Sequence, residues 1–178
     1  PGRHDEARAA IDEALAYARA VGAGAVHVMA GNAQGAAAER AFLEALRHAC
    51  AVAGDITILI EPLNRHDAPG YFLRTTDQAR ALIEVVGAAN LRLMFDCYHV
   101  GRTEGDVVTR LRDLMPVIGH VQFASVPDRG PPDRGELNYH AIFAALRDLG
   151  WDRPIGAEYR PGGPTEPTLG WMDALAAG

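Results

Sequence analysis

TILIEPLNRHDAPGYFLRTTDQARALIEVVGAANLRLMFD, residues 57–96, contains the unit from which the rest of the chain can be read. Its first four residues, Thr57 to Ile60, are a short continuous apolar run of the kind found in a strand covered on both faces. Thr76 to Val86 then has helical composition, and Leu91 to Phe95 returns to an apolar run. Strand, helix and strand in succession predict parallel pairing through a right-handed crossover.

The same alternation extends in both directions. Toward the N-terminus, Asp5 to Ala20 places Ala9, Ile11, Leu15 and Ala18 near helical spacing, and Gly22 and Gly24 close the segment. Val26 to Ala30 reads as a buried strand and Ala36 to Ala53 as a helix ended by Gly54. Toward the C-terminus come a helix over Asp106 to Leu114, a strand over Gly119 to Phe123, a helix over Tyr139 to Leu149 and a strand over Ile155 to Ala157. The Pro/Gly-rich stretch PDRGPPDRGE, residues 127–136, reads as a loop.

Neither GxGxxG nor GxxxxGK occurs between a strand and a helix, so a doubly wound nucleotide-binding sheet is disfavoured. The expected class is α/β, of the (β/α)8 TIM-barrel type. A complete barrel has eight strands and typically about 250 residues. The five strands read here lead us to expect a single partial domain over residues 1–178, with about three βα units missing ahead of Pro1.

Composition narrows the function. A net charge of −6 gives no basic footprint for a phosphate backbone, so nucleic acid is not an expected partner. No apolar run approaches the roughly 20 residues that cross a bilayer, and PGRHDEARAA lacks the regions of a signal peptide, so a cytoplasmic protein without a membrane partner is expected. Cys50 and Cys97 have no CxxC spacing and are expected to be reduced, buried thiols.

Four polar side chains stand at or just past the C-terminal ends of successive expected strands: Glu61, Asp96, Gln122 and Glu158. In a barrel those ends surround one mouth, where active sites of this fold lie. Each has an ordinary explanation when taken alone. Glu61 can end a strand in solvent, Asp96 can cap a helix, Gln122 can be a satisfied core amide, and Glu158 can pair with Arg160 or Arg153. Together they form an all-oxygen set suited to Mg²⁺ or Mn²⁺, with Zn²⁺ and Co²⁺ as further options. Burying three carboxylates beside apolar strands is costly unless a cation or hydrogen bonds compensate.

Several blocks then carry a family resemblance: IEPLN (60–64) with PGYFL (69–73), DCYH (96–99), GHVQFASVPDR (119–129), GELNY (135–139), and GAEYRP (156–161) with LGW (169–171). In order and spacing the chain resembles the hydroxypyruvate isomerase family within the xylose isomerase-like barrel superfamily. The resemblance implies that Glu61, Asp96, Gln122 and Glu158 bind one divalent cation and that Glu61 and Glu158 are the catalytic acid/base pair. It further implies that His99 and Arg129 contact a small hydroxy- or oxo-acid substrate. The reaction implied is hydroxypyruvate to tartronate semialdehyde through an enediol.

The same family pattern implies a 2-oxo-tetronate isomerase as the alternative, with PGYFL favouring the hydroxypyruvate branch. From other classes, an endonuclease IV-like zinc nuclease and an inactive barrel fragment are also weighed. The chain departs from the pattern at Arg160, where many relatives carry lysine, and in FASVPD (123–128), where IADNPG is usual. Both departures bear on the substrate and neither on the expected ligands. His66, Asp67 and Asn64 are expected in a solvent-exposed loop and His27 as a core or layer residue, and full-length relatives suggest a homo-oligomer.

Overall fold

A computed structural model describes residues 2–176 as two compact units, one ending at Met94 and the other beginning at Phe95. The first contains α1 (His4–Val21), β1 (Ala25–His27), α2 (Gly35–Ala53), β2 (Thr57–Ile60) and α3 (Thr76–Val86). β3 (Leu91–Asp96) begins there and runs into the second unit. The second continues with α4 (Cys97–Thr103), α5 (Val107–Leu114), a 3-10 turn (Met115–Val117), β4 (Ile118–Phe123), α6 (Tyr139–Asp148), β5 (Ile155–Ala157), a 3-10 turn (Glu166–Thr168) and α7 (Trp171–Ala176).

Strand order follows chain order, β1-β2-β3 in the first unit and β4-β5 in the second. The pairs are parallel: Val26 sits opposite Ile58, Ile60 opposite Leu93, and Gln122 opposite Gly156. This is the arrangement that the alternating elements predict. Ile58, Ile60, Leu91 and Leu93 are at most 1% exposed, which matches strands covered on both faces. Each fully buried side chain of this size contributes about 1.5–3 kcal/mol.

Local chemistry sets the helix ends. Thr75 caps α3 by accepting the Gln78 N–H at 3.2 Å, and the Gln78 side chain reaches back to accept the Arg74 N–H at 3.0 Å. Asn138 caps α6 by accepting the Ala141 N–H at 3.1 Å. Around Phe123 the rings of Tyr139, Phe143 and Trp171 pack with centroids 5.1–5.6 Å away, and they tie β4 to α6 and α7.

The structure corrects five local expectations. β1 ends at His27 rather than Ala30: the Val28 N–H still donates to the Leu59 carbonyl, but Met29 is 62% exposed and the Ala30 N–H turns to the Tyr71 hydroxyl. α4 is a helix where the sequence shows only the DCYH motif. Its Gly101 and β-favouring residues disguise it, and it is held by packing, since a Cβ at Gly101 would meet Val126 at 3.2 Å and Leu137 at 3.3 Å. α7 was likewise not anticipated. Asn64 is fully buried rather than exposed, whereas His66 and Asp67 do lie in solvent. Both cysteines are free thiols, as expected, but only Cys97 is fully buried, Cys50 being partly so.

Candidate active site

In the first unit, Glu61 follows β2 directly and is 5% exposed. His27, the last residue of β1, brings Nδ1 to 3.8 Å from Glu61 Oε2. Burial holds the His27 imidazole below its ordinary pKa, so its neutral form is favoured. The Tyr71 hydroxyl accepts the Ala30 N–H at 2.8 Å, and its phenol is pushed up to about 12, mainly by burial, with the Glu61 charge acting in the same direction.

The backbone explains why the IEPLN and PGYFL blocks travel together. The Leu63 N–H donates to the Leu73 carbonyl at 3.0 Å, and the Phe72 N–H donates to Gly31 at 2.9 Å. Buried Asn64 fixes the loop between them. Its Oδ1 accepts the N–H groups of His66 and Asp67, both at 3.0 Å, and its amide donates to Asp67 at 3.1 Å. An Asx turn of this kind is why an amide is buried where a solvated loop was expected.

In the second unit, Asp96 ends β3 and is the N-cap of α4, with Oδ1 accepting the Tyr98 N–H at 2.8 Å. Its other oxygen, Oδ2, lies 3.7 Å from His99 Nε2 and 4.0 Å from Arg129 Nη2. Asp96 is 1% exposed, and burial pushes its carboxyl up to about 7 against the pull of the Tyr98 N–H and the Arg129 charge. His99 is 3% exposed, and its ring meets that of Tyr98 edge-on with centroids 5.1 Å apart.

Gln122 lies in β4 opposite Gly156, where a Cβ would meet His120 Nε2 at 3.3 Å and Gln122 Cγ at 3.5 Å; the glycine leaves room for both side chains. Glu158 follows β5, anchored by its N–H to the Phe123 carbonyl at 3.1 Å. Its side chain is 52% exposed, and Oε1 sits 3.0 Å from Arg129 Nη2. The pairing with Arg160 or Arg153 allowed for by the sequence reading is replaced by one with Arg129. Arg153 instead covers the Trp151 ring at 4.0 Å and donates to the carbonyls of Gly119 and Ile118.

Arg129 therefore brings several groups of this unit together. Besides Glu158 and Asp96 it faces Tyr98, with the guanidinium carbon 5.2 Å from the ring centroid. It adopts a left-handed backbone, φ 55°, uncommon for a side-chain-bearing residue. The Arg129 N–H donates to the Ser125 carbonyl at 2.9 Å, and its own carbonyl accepts the Arg160 N–H at 2.6 Å.

The donor set fits a hard divalent cation. Asp96 Oδ2 and Gln122 Oε1 are buried acceptor oxygens with no hydrogen-bond partner among the described residues, an arrangement costly to leave uncompensated. Oxygen donors of this kind match Mg²⁺ or Mn²⁺. Sequence reasoning singled out Glu61, Asp96, Gln122, Glu158, His99 and Arg129 but passed over Tyr98 and Tyr71. Both tyrosines stand inside the quoted blocks DCYH and PGYFL, which was the available signal.

Comparison with known proteins agrees with the parallel βα architecture. A family model described as xylose isomerase-like TIM barrel matches residues 1–176. The 2-oxo-tetronate isomerase of Cupriavidus necator is 46% identical over 97% of this chain and 68% of its own length. The hydroxypyruvate isomerase of Escherichia coli K12 is 38% identical over 97% of this chain and 69% of its own. A crystal structure from Brucella melitensis, described as an AP endonuclease of family 2, superposes with a TM-score of 0.93 at 38% identity, covering 98% of this chain and 69% of that one. The chain thus spans about two thirds of the length of the proteins it matches.

Proposed function

The chain belongs to the xylose isomerase-like TIM barrel family, and from that premise we propose that the protein is an intramolecular oxidoreductase. Its reaction on this reading interconverts hydroxypyruvate and tartronate semialdehyde by moving a proton between C3 and C2 through an enediol. The observation that carries the reading is the Arg129 cluster: a guanidinium set 3.0 Å from the Glu158 carboxylate, beside buried Asp96 and over Tyr98. A planar cation beside an acid/base carboxylate suits a small substrate that itself carries a carboxylate.

On this reading Asp96, Gln122, Glu61 and Glu158 hold one divalent cation, Mg²⁺ or Mn²⁺, and the two unsatisfied oxygens of Asp96 and Gln122 support it. When bound, the cation supplies Lewis-acid polarisation of the substrate oxygens and neutralises developing charge. Glu61 and Glu158 do the proton work at carbon: one, as the carboxylate, takes the C3 proton as the electron pair moves to form the enediol, the O3 hydroxyl proton passes to O2, and the other, as the protonated acid, delivers a proton to C2. Arg129 anchors the substrate carboxylate, and His99, buried at 3.7 Å from Asp96, orients a substrate oxygen. No external oxidant or reductant enters, because the two carbons exchange oxidation level.

A second reading keeps the chemistry and lengthens the substrate by one carbon, to a 2-oxo-tetronate. The 46% identity to the Cupriavidus necator enzyme favours it. A nuclease reading suits a chain of net charge −6 poorly. Among the described residues no helix is long and apolar enough to cross a membrane. The test is turnover of both acids with Mn²⁺, comparing the wild-type protein with Glu158→Gln. The proposal expects turnover by the wild type and its loss in the variant, and equal rates for the two proteins would remove Glu158 from the chemistry.

A further inference from the structure

Arg129 is held by its backbone, but a guanidinium on a long flexible stem needs something to fix its plane as well. The structure places one aromatic face against it, that of Tyr98, 5.2 Å from centroid to guanidinium carbon. Tyr98 is well suited to this. It is 2% exposed, packed with Ala124, Val126, Leu137 and Tyr159, and its N–H is fixed to Asp96 Oδ1. Its ring also meets that of His99 edge-on, with centroids 5.1 Å apart. One residue thus touches the three groups, Asp96, His99 and Arg129, to which the proposed function gives roles in this unit.

Resting on that reading, we infer that Tyr98 is a positioning residue for substrate recognition. Its ring face orients Arg129 toward the carboxylate of a short 2-oxo acid through a cation–π contact. Because the carboxylate is held alike in the ground state and during the reaction, weakening the contact raises KM and leaves kcat nearly unchanged. A residue that merely filled the core would show no dependence on the electronics of its ring.

The experiment replaces Tyr98 by phenylalanine and by a series of ring-fluorinated phenylalanines in the full chain. These keep the ring's shape while progressively removing the negative charge of its face. The expected result is a KM near the wild-type value for Tyr98→Phe and a stepwise rise of roughly three- to tenfold across the fluorinated series, with kcat held within about twofold. The affinity for glycerate, a carboxylate that is not turned over, should fall in parallel by calorimetry. A flat KM and flat glycerate affinity across the series would overturn the inference, as would the same series acting unchanged in an Arg129→Ala background. Absence of turnover by the wild-type protein would instead overturn the proposed function, and the glycerate titration would still decide the role of Tyr98.

Discussion

Asp96 Oδ1 accepts the Tyr98 N–H at 2.8 Å, so the carboxylate that caps α4 is the one whose second oxygen lies buried without a hydrogen-bond partner among the described residues. Two explanations of Asp96 that the sequence sets side by side, helix cap and cation ligand, use different oxygens and are compatible. Asparagine caps a helix about as well as aspartate, whereas alanine does not. Asp96→Asn should therefore leave the unfolding free energy of the cation-free protein equal or raised, while Asp96→Ala lowers it by roughly 1 kcal/mol. Both variants should lose Mn²⁺ binding, which calorimetry would read directly.

Burial pushes the Asp96 carboxyl from 3.8 up to about 7. Its folded pKa thus lies above its unfolded one, and the stability linked to its protonated form is complete below about pH 4 and lost as pH rises through 7. Without cation, the wild-type protein should lose stability relative to Asp96→Asn between about pH 4 and 7 in denaturant titrations. Added Mn²⁺ should bind more weakly as pH falls below 7, because proton and cation compete for one carboxylate. Parallel stability curves for the two proteins over that range would refute this.

Glu158 is half exposed and its ion pair with Arg129 is partly solvated, so the pair contributes at most about 1 kcal/mol to stability. Glu158→Gln should shift the thermal midpoint little. Its effect should fall on turnover, by roughly 100-fold or more, the scale of general acid/base catalysis. A large stability loss with normal turnover would reverse these roles.

Gly135 has φ +95°, and a Cβ there would press on the Val126 carbonyl oxygen and the Ser125 hydroxyl. The Ser125 carbonyl holds the Arg129 N–H, so the collision reaches the site. Gly135→Ala should cost at least about 2 kcal/mol and also raise KM. Gly163→Ala, with nothing within 4 Å of the added carbon, serves as the neutral control. Equal unfolding midpoints for the two variants would show that Gly135 is not needed at this turn.

Much of this was legible in the residues themselves. Apolar runs such as Thr57–Ile60 and Leu91–Phe95, each followed further along by a segment of helical spacing, identify the parallel units because covered strands and amphipathic helices have different periods. The polar residues at their ends were legible for the same reason, since a carboxylate closing an apolar run stands out. What escaped depends on contacts distant in sequence. α4 packs its Gly101 against Val126 and Leu137, the blocks IEPLN and PGYFL are joined by the Leu63–Leu73 hydrogen bond, and Glu158 meets Arg129 while Arg153 is held over Trp151 and by the carbonyls of Gly119 and Ile118. None of these follows from local propensity.

Cation-assisted isomerisation of a short 2-oxo acid can be followed by proton NMR of hydroxypyruvate and of a 2-oxo-tetronate incubated with the protein. Conversion of at least one acid is expected with Mn²⁺ present, with its loss after EDTA and its return when Mn²⁺ is restored. Conversion that continues undiminished in EDTA, or no conversion of either acid with the cation present, would rule out cation-assisted isomerisation.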